Sequence, residues 1–259
     1  MAGRMGENSA PVSYASLINE RSVDFCRAFA QGCGGSISNR PDMLLPGAVA
    51  GFWLPELFSI LNAAKVDGRT WYYGDKAYFD RNHYWRITKN AKMHNALGQA
   101  KPDRFRQLHL KIKPWRNGSE ILLCPQSDTF FRLNGSTQAA WVKSTTEKIR
   151  QYSDRPIRVH HKIAGDKTET IFRNQLGNAW AVVVHSSIAG VQAVLEGIPC
   201  FVTDETSTPA SFGTTDFSKL ESPVKPENRE QMAWVLADNQ WTLDEIKRGA
   251  AWEHLKGSQ

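Results

Sequence analysis

Short apolar runs alternate with segments of helical spacing through the second half of the chain. Glu120–Cys124 (EILLC), Pro156–His160 (PIRVH), Trp180–His185 (WAVVVH) and Ile198–Val202 (IPCFV) each predict a strand. The uninterrupted apolar run at 180–185 suits a strand buried on both faces of a parallel sheet. Between these runs, Thr137–Tyr152 sets Trp141, Thr145, Lys148, Ile149 and Tyr152 near one helical face, and Thr168–Leu176 and Ser187–Leu195 predict further helices. Residues 203–226 carry Thr, Ser, Pro and Asp without periodicity and predict a long loop. Two helices close the chain, Pro226–Asp238 and Leu243–Leu255, the second opened by Thr242 with Glu245 at the capping-box spacing.

The first half follows the same grammar less regularly. Residues 1–12 are small and polar and predict a loose terminus. The stretch 14–32 (YASLINERSVDFCRAFAQG) has helical spacing, with the Gly32, Gly34, Gly35 cluster at its stop. Ala48–Trp53 predicts a strand, Leu54–Ala64 a helix with Pro55 in its first turn, and Thr70–Tyr73 a strand ending at Gly74-Asp75. Repeated strand–helix order predicts an α/β protein of two small Rossmann-like units, 1–118 and 119–259, joined near Lys113-Pro114-Trp115-Arg116-Asn117-Gly118. Two such units place a ligand cleft between the carboxyl ends of their strands.

Composition adds little beyond an ordinary globular chain, but charge placement changes the picture. Of the 259 residues, 1–118 hold 17 Lys/Arg against 9 Asp/Glu, and 119–259 hold 15 against 17, so the net +6 divides as +8 and −2. A one-sided excess suits a polyanionic partner for the first unit, or a solvated basic face. Cys26, Cys33, Cys124 and Cys200 are widely spaced and form no CxxC, and the histidines show neither HExxH nor HxH spacing, so neither a thiolate zinc site nor another structural metal is expected. No apolar run approaches the ~18 residues of a membrane span, and the N-terminus lacks an apolar signal core. The expectation is a soluble, cytoplasmic protein without a membrane partner.

The densest chemical signal is VVVHSSIAGVQAVLEGIPCFVTD, residues 182–204. A buried strand ends at His185, and Ser186 and Ser187 occupy the strand-to-helix turn, where free N–H groups suit an anion. Gly190 would let a phosphate approach, and the Glu196 carboxylate could accept from ribose hydroxyls. A strand, cap and helix with no ligand has the same spacing. After the neighbouring strands come Gln126, Ser127 and Asp128, then Lys162 as a point charge for phosphate, then Thr203 and Asp204.

The pattern HSS…AVLEGIP.F resembles the nucleotide-sugar half of GT-B glycosyltransferases, especially capsular-polysaccharide and Kdo-type transferases. GRTWYYGDKAYF, YWRITKN, KPWR and ILLCPQSD are similar to segments of small phage-encoded proteins of glycosyltransferase type. The resemblance spans residues 48–255 and implies a GT-B-like fold with a reduced N-terminal unit. It also implies a nucleotide-sugar (UDP-glucose-like) as co-substrate, with His185, Ser186, Ser187 and Glu196 on the donor side, where Gln126, Ser127 and Lys162 join them by position. No further cofactor is implied. The chain has no DxD sequence, and enzymes of this resemblance generally lack a catalytic metal.

On the acceptor side, residues 71–85 carry Trp71, Tyr72, Tyr73, Tyr78, Phe79, Tyr84 and Trp85, interleaved with basic side chains. Cations grip phosphates and aromatic faces stack on exposed bases or sugars. Trp71, Tyr73, Lys76, Tyr78, Arg81, Arg86 and Lys89 are therefore acceptor candidates, although Trp71 and Tyr73 are expected on one face of a strand and partly in the core. Inverting transfer needs a base; Asp75 is the candidate, with Asp80 and His83 in reserve. The combined expectation is a glycosyltransferase acting on a hydroxymethyl-pyrimidine in phage DNA, in the host cytoplasm. The rival expectations are a surface-polysaccharide transferase and a non-catalytic nucleic-acid-binding protein.

Overall fold

The computed structural model describes residues 10–16, 19–40, 42–52, 55–160 and 169–257. In chain order its elements begin β1 (Val12–Tyr14), α1 (Glu20–Cys33), β2 (Ser36–Ser38), β3 (Val49–Phe52), α2 (Pro55–Val66), β4 (Trp71–Lys76), β5 (Trp85–Lys89) and α3 (Asp103–Gln107). They continue with β6 (Glu120–Cys124), α4 (Asp128–Leu133), α5 (Gln138–Arg150), β7 (Ile157–Val159), α6 (Glu169–Gln175), β8 (Ala179–Val184), α7 (Ala189–Leu195) and β9 (Cys200–Val202). The last are α8 (Thr208–Phe212), a 3-10 turn (Phe217–Lys219), α9 (Arg229–Asp238), β10 (Gln240–Trp241), α10 (Leu243–Lys247) and α11 (Ala250–Gly257). The protein is α/β, as expected, and forms two compact units: residues 1–94 with 236–259, and residues 95–235.

The first unit carries a sheet of order β10-β5-β4-β3-β1-β2. β2, β1, β3 and β4 run parallel, β5 joins antiparallel to β4, and β10 joins antiparallel to β5. Strand alternation sorts the aromatics of β4. Trp71 and Tyr73 pack with Tyr14, Val49, Leu57 and Ile60 on one face, and Tyr72 packs with Phe25, Phe29, Trp241 and Trp252 on the other. Asn19 caps α1, accepting from the Ser22 N–H at 3.3 Å, and Gly34 ends the helix at φ +68.

The second unit is built on four parallel strands of order β7-β6-β8-β9. Ile121, Leu122 and Leu123 and then Ala181 through Val184 are wholly buried, which is why their sequence runs lack polar alternation. The chain starts at β6, steps to β7 on one side, and crosses back to β8 on the other. Such a reversal is a topological switch point, the place where α/β sheets bind ligands outside the carboxyl ends of their strands, here those of β6 and β8.

The structure moves the boundary expected at residue 118. Lys113 N–H bonds Leu195 O at 2.8 Å and Arg116 N–H bonds Gly197 O at 2.9 Å, tying residues 113–116 to the second unit. A Cβ on Gly197 (φ +81) would lie 2.0 Å from Pro114 O, so this approach requires glycine. Conversely, β10 pairs with β5, the Gln240 side chain bonds both Phe79 N–H (3.0 Å) and Phe79 O (3.1 Å), and α10 packs on α1. The charge division changes with the boundary. The first unit has 14 basic and 12 acidic residues, and the second has 18 and 14, so the net +6 is shared as +2 and +4. The one-sided +8 belonged to a cut that the fold does not make.

Several strands escaped the sequence pattern. β1 and β2 are three residues each, and β10 is two. Residues 14–32 are not one helix: Tyr14 ends a strand and α1 begins at Glu20. The loop predicted over 203–226 holds α8 and a 3-10 turn. The final helix is divided at Gly249 (φ +88), while its predicted capping box between Thr242 and Glu245 is present. All four cysteines are buried free thiols. Among the described residues, no helix is long and apolar enough to cross a membrane, and no cluster of three or more His, Cys, Asp or Glu could hold a metal ion.

Close packing of α1 on β4 depends on Gly74, where a Cβ would lie 2.2 Å from the fully buried Phe25 ring. Gly74→Ala is expected to destabilise the protein by roughly 1–3 kcal/mol through overpacking. Urea unfolding checks this, and an unchanged midpoint would contradict it.

Candidate functional site

At the carboxyl edge of β6 and β8, a reciprocal pair joins the two adjacent strand ends. Gln126, two residues past β6, donates from Nε2 to Ser186 Oγ at 2.8 Å and accepts at Oε1 from the Ser186 N–H at 3.1 Å. Gln138 Nε2 holds the Gln126 carbonyl at 2.6 Å. Two predicted donor residues, 60 positions apart in sequence, thus meet side chain to backbone.

Ser127 is engaged locally. It caps α4, accepting from the Phe130 N–H at 3.2 Å, while Asp128 accepts from the Gln138 N–H and pairs with Arg132. Ser187 Oγ accepts from the Ala189 N–H at 3.3 Å, so it is Ser187 rather than Ser186 that meets the start of α7. His185 lies against the rings of Phe130, Phe131 and Trp141, and its Nδ1 is 2.8 Å from Thr203 Oγ1. Trp141 Nε1–H donates to that same hydroxyl at 2.9 Å. Burial lowers the His185 pKa, and nearby Asp204 partly opposes this, so the ring is neutral at pH 7. The Asp204 carboxylate takes Thr206 N–H and O–H.

Three donor-side expectations change. Glu196 follows the C-terminus of α7, one helix length from Ser186, and sits beside the start of β9 rather than at the strand ends. Its carboxylate is nearly enclosed and pairs with Lys113 Nζ at 2.5 Å and Arg173 Nε at 3.2 Å, which gives it a packing role rather than a ribose contact. Gly190 faces protein, since a Cβ there would meet Cys200 Sγ at 2.7 Å and Pro209 at 2.9 Å. Lys162, with His161, lies outside the described residues.

The first unit rearranges the acceptor-side set. Trp71, Tyr73 and Tyr78 are buried core residues, and so cannot stack on a ligand. Arg86 is also buried, donating to Asp75 Oδ2 at 2.7 Å, with its guanidinium 5.1 Å from the Tyr78 ring centre. Burial works against the Arg86 charge, but Asp75, with Tyr78 and Tyr73, more than offsets it. Asp75 Oδ1 also takes the Lys76 N–H at 2.6 Å. Both Asp75 carboxylate oxygens are thus engaged by partners within the first unit, which gives Asp75 a structural task instead of the base expected. Lys76, Arg81 and Lys89 are half-buried.

The reserve residues Asp80 and His83 do come together. Asp80, a non-glycine residue at φ +45, holds His83 Nδ1 at 2.8 Å in an exposed turn. That arrangement orients an imidazole with Nε2 outward, as in a carboxylate–histidine base pair. Sequence reasoning missed the buried partner of Tyr78: its hydroxyl accepts the His94 N–H at 3.0 Å and meets His94 Nδ1 at 2.8 Å. Burial, with Arg86, pushes the His94 pKa down to about 3. No spacing in the sequence announces this pair.

No protein-family model matches the chain, and no curated protein does. Among solved structures, the chain is similar to Thermosulfurimonas dismutans KpsC, beta Kdo 2,4 transferase, at 11% identity and TM-score 0.49, over 88% of this chain and 90% of that one. It is also similar to Thermosulfurimonas dismutans KpsC, beta Kdo 2,7 transferase, at 13% identity and TM-score 0.43, over 95% and 100%.

The Asp75–Arg86 pair predicts that Asp75→Asn leaves a buried guanidinium without its counter-charge. The expected loss is about 3 kcal/mol of folding stability, measured by urea unfolding. Wild-type stability in the variant would show that the pair does not hold this part of the sheet.

Proposed function

We propose that the protein is a nucleotide-sugar-dependent glycosyltransferase whose donor binds the second unit at the carboxyl ends of β6 and β8. The observation that carries this reading is the reciprocal Gln126–Ser186 pair at the crossover, beside a neutral His185. Among the described residues the edge presents an amide, hydroxyls and an imidazole, and such preorganised neutral donors suit phosphate oxygens. The sequence resemblance over 182–204 includes His185 and Ser186.

In the reaction, an acceptor hydroxyl oxygen forms a bond to the anomeric carbon. The bond from that carbon to the nucleotide's phosphate oxygen breaks, and the phosphate leaves with the electron pair. The acceptor's proton passes to a general base. No metal enters this scheme.

For the acceptor, burial of Trp71, Tyr73 and Tyr78 and the modest charge of the first unit remove the stacking and electrostatic grounds for a hydroxymethyl base in DNA. We therefore favour a hydroxyl of a surface polysaccharide. The DNA reading keeps one observation in its favour, the exposed Lys101, Arg106 and Lys111 of the second unit.

Incubation with a panel of nucleotide sugars, then either oligosaccharide acceptors or DNA containing 5-hydroxymethyl bases, separates these readings by mass spectrometry. The expected result is a sugar-shifted oligosaccharide, with turnover that survives EDTA. Sugar-shifted nucleosides would move the acceptor to DNA. No product with any donor would overturn the transferase reading.

A further inference from the structure

The contacts around His185 determine which of its nitrogens carries the proton. Trp141 Nε1–H can only donate, so at 2.9 Å it occupies one lone pair of Thr203 Oγ1. Thr203 keeps one O–H, and among the described residues the acceptor within reach is His185 Nδ1, at 2.8 Å. Were Nδ1 protonated, Oγ1 would accept twice and the Thr203 proton would have no acceptor among the described residues. The arrangement that satisfies every group puts the Thr203 proton on the Nδ1 lone pair, which leaves His185 protonated at Nε2.

The far edge of the ring completes the case. Nε2 has no hydrogen-bond partner among the described residues. Phe130, Phe131 and Trp141 hold the ring in place, with ring centres 5.8, 5.7 and 6.5 Å away. Because His185 follows β8 directly, this nitrogen belongs to the same strand-end edge as the Gln126–Ser186 pair. A histidine set in this way cannot serve as a base through Nδ1, which is already occupied.

We infer that Trp141 and Thr203 are positioning residues that fix His185 as its Nε2–H tautomer, making the outer nitrogen a dedicated hydrogen-bond donor to a phosphate oxygen. The tautomer follows from the contacts alone. The choice of phosphate as ligand rests on the donor-site reading above. Neither the Nδ1–Thr203–Trp141 chain nor its consequence for His185 was visible in sequence, where Trp141 reads as one residue of an amphipathic helix.

Long-range proton–nitrogen spectra of the full chain at pH 7.5, with His185 assigned by comparison with His185→Gln, test the tautomer without any activity assay. Wild type and Thr203→Ser are expected to show a protonated Nε2 and a bare Nδ1. Thr203→Val, and Trp141→Phe in case the valine variant fails to fold, are expected to give an average of the two tautomers. A protonated Nδ1 in wild type, or a bare Nδ1 retained in both Thr203→Val and Trp141→Phe, would overturn the assignment.

Titration with UDP or inorganic pyrophosphate tests the ligand. Binding is expected to shift the Nε2 proton, and Thr203→Val is expected to weaken it about tenfold while Thr203→Ser stays within about threefold. A fixed tautomer with no response to either ligand would overturn the phosphate assignment, and the donor-site reading with it, while supporting the positioning role.

Discussion

Two strands buried on both faces, laid side by side in parallel, set the terms for the second unit. β6 and β8 share a register from Ile121↔Ala181 to Cys124↔Val184, so their chains emerge together at one edge. Apolar burial fixes that register, because a slip of one residue would turn every side chain to the opposite face. Everything polar that follows is then forced into a small volume. Gln126 and Ser186 satisfy each other there, and His185 is held by Thr203 and Trp141. The candidate site is a by-product of strand order, with Gln126, Ser186 and His185 locked by hydrogen bonds.

Charge behaves differently from the way a linear count suggests. The excess basic residues of 95–118 travel with the second unit, and the more balanced C-terminal helices travel with the first. In the first unit, Arg86 is sealed in the core against Asp75 and Tyr78. In the second unit, Lys113 and Arg173 are paired with Glu196. These cations and carboxylates hold elements together, and a charge total along the chain cannot separate them from cations that face solvent.

Much of the architecture was readable in the sequence because it rests on local pattern. The apolar runs at 120–124 and 180–185 appear as strands within a residue of their expected limits, and the Thr242–Glu245 capping box forms as written. The strands that went unread, β1, β2, β5 and β10, are stabilised by pairing across the chain rather than by their own periodicity. The same distinction runs through the site. Gln126, His185, Ser186 and Ser187 could be placed at strand ends, whereas the burial of Tyr78, the Asp75–Arg86 pair and the partnership of Thr203 with Trp141 are tertiary facts. The expected division at residue 118 failed for that reason too, since backbone bonds between 113–116 and 195–197 leave no local signature.

The strand-end edge of β6 and β8 is the proposed nucleotide site. Hydrogen exchange of the full chain, with and without saturating nucleoside diphosphate, tests it most directly. The account predicts slowed exchange confined to amides of residues 126–128, 185–187 and 203–204. Unchanged exchange there, or protection located only in the first unit, would contradict it.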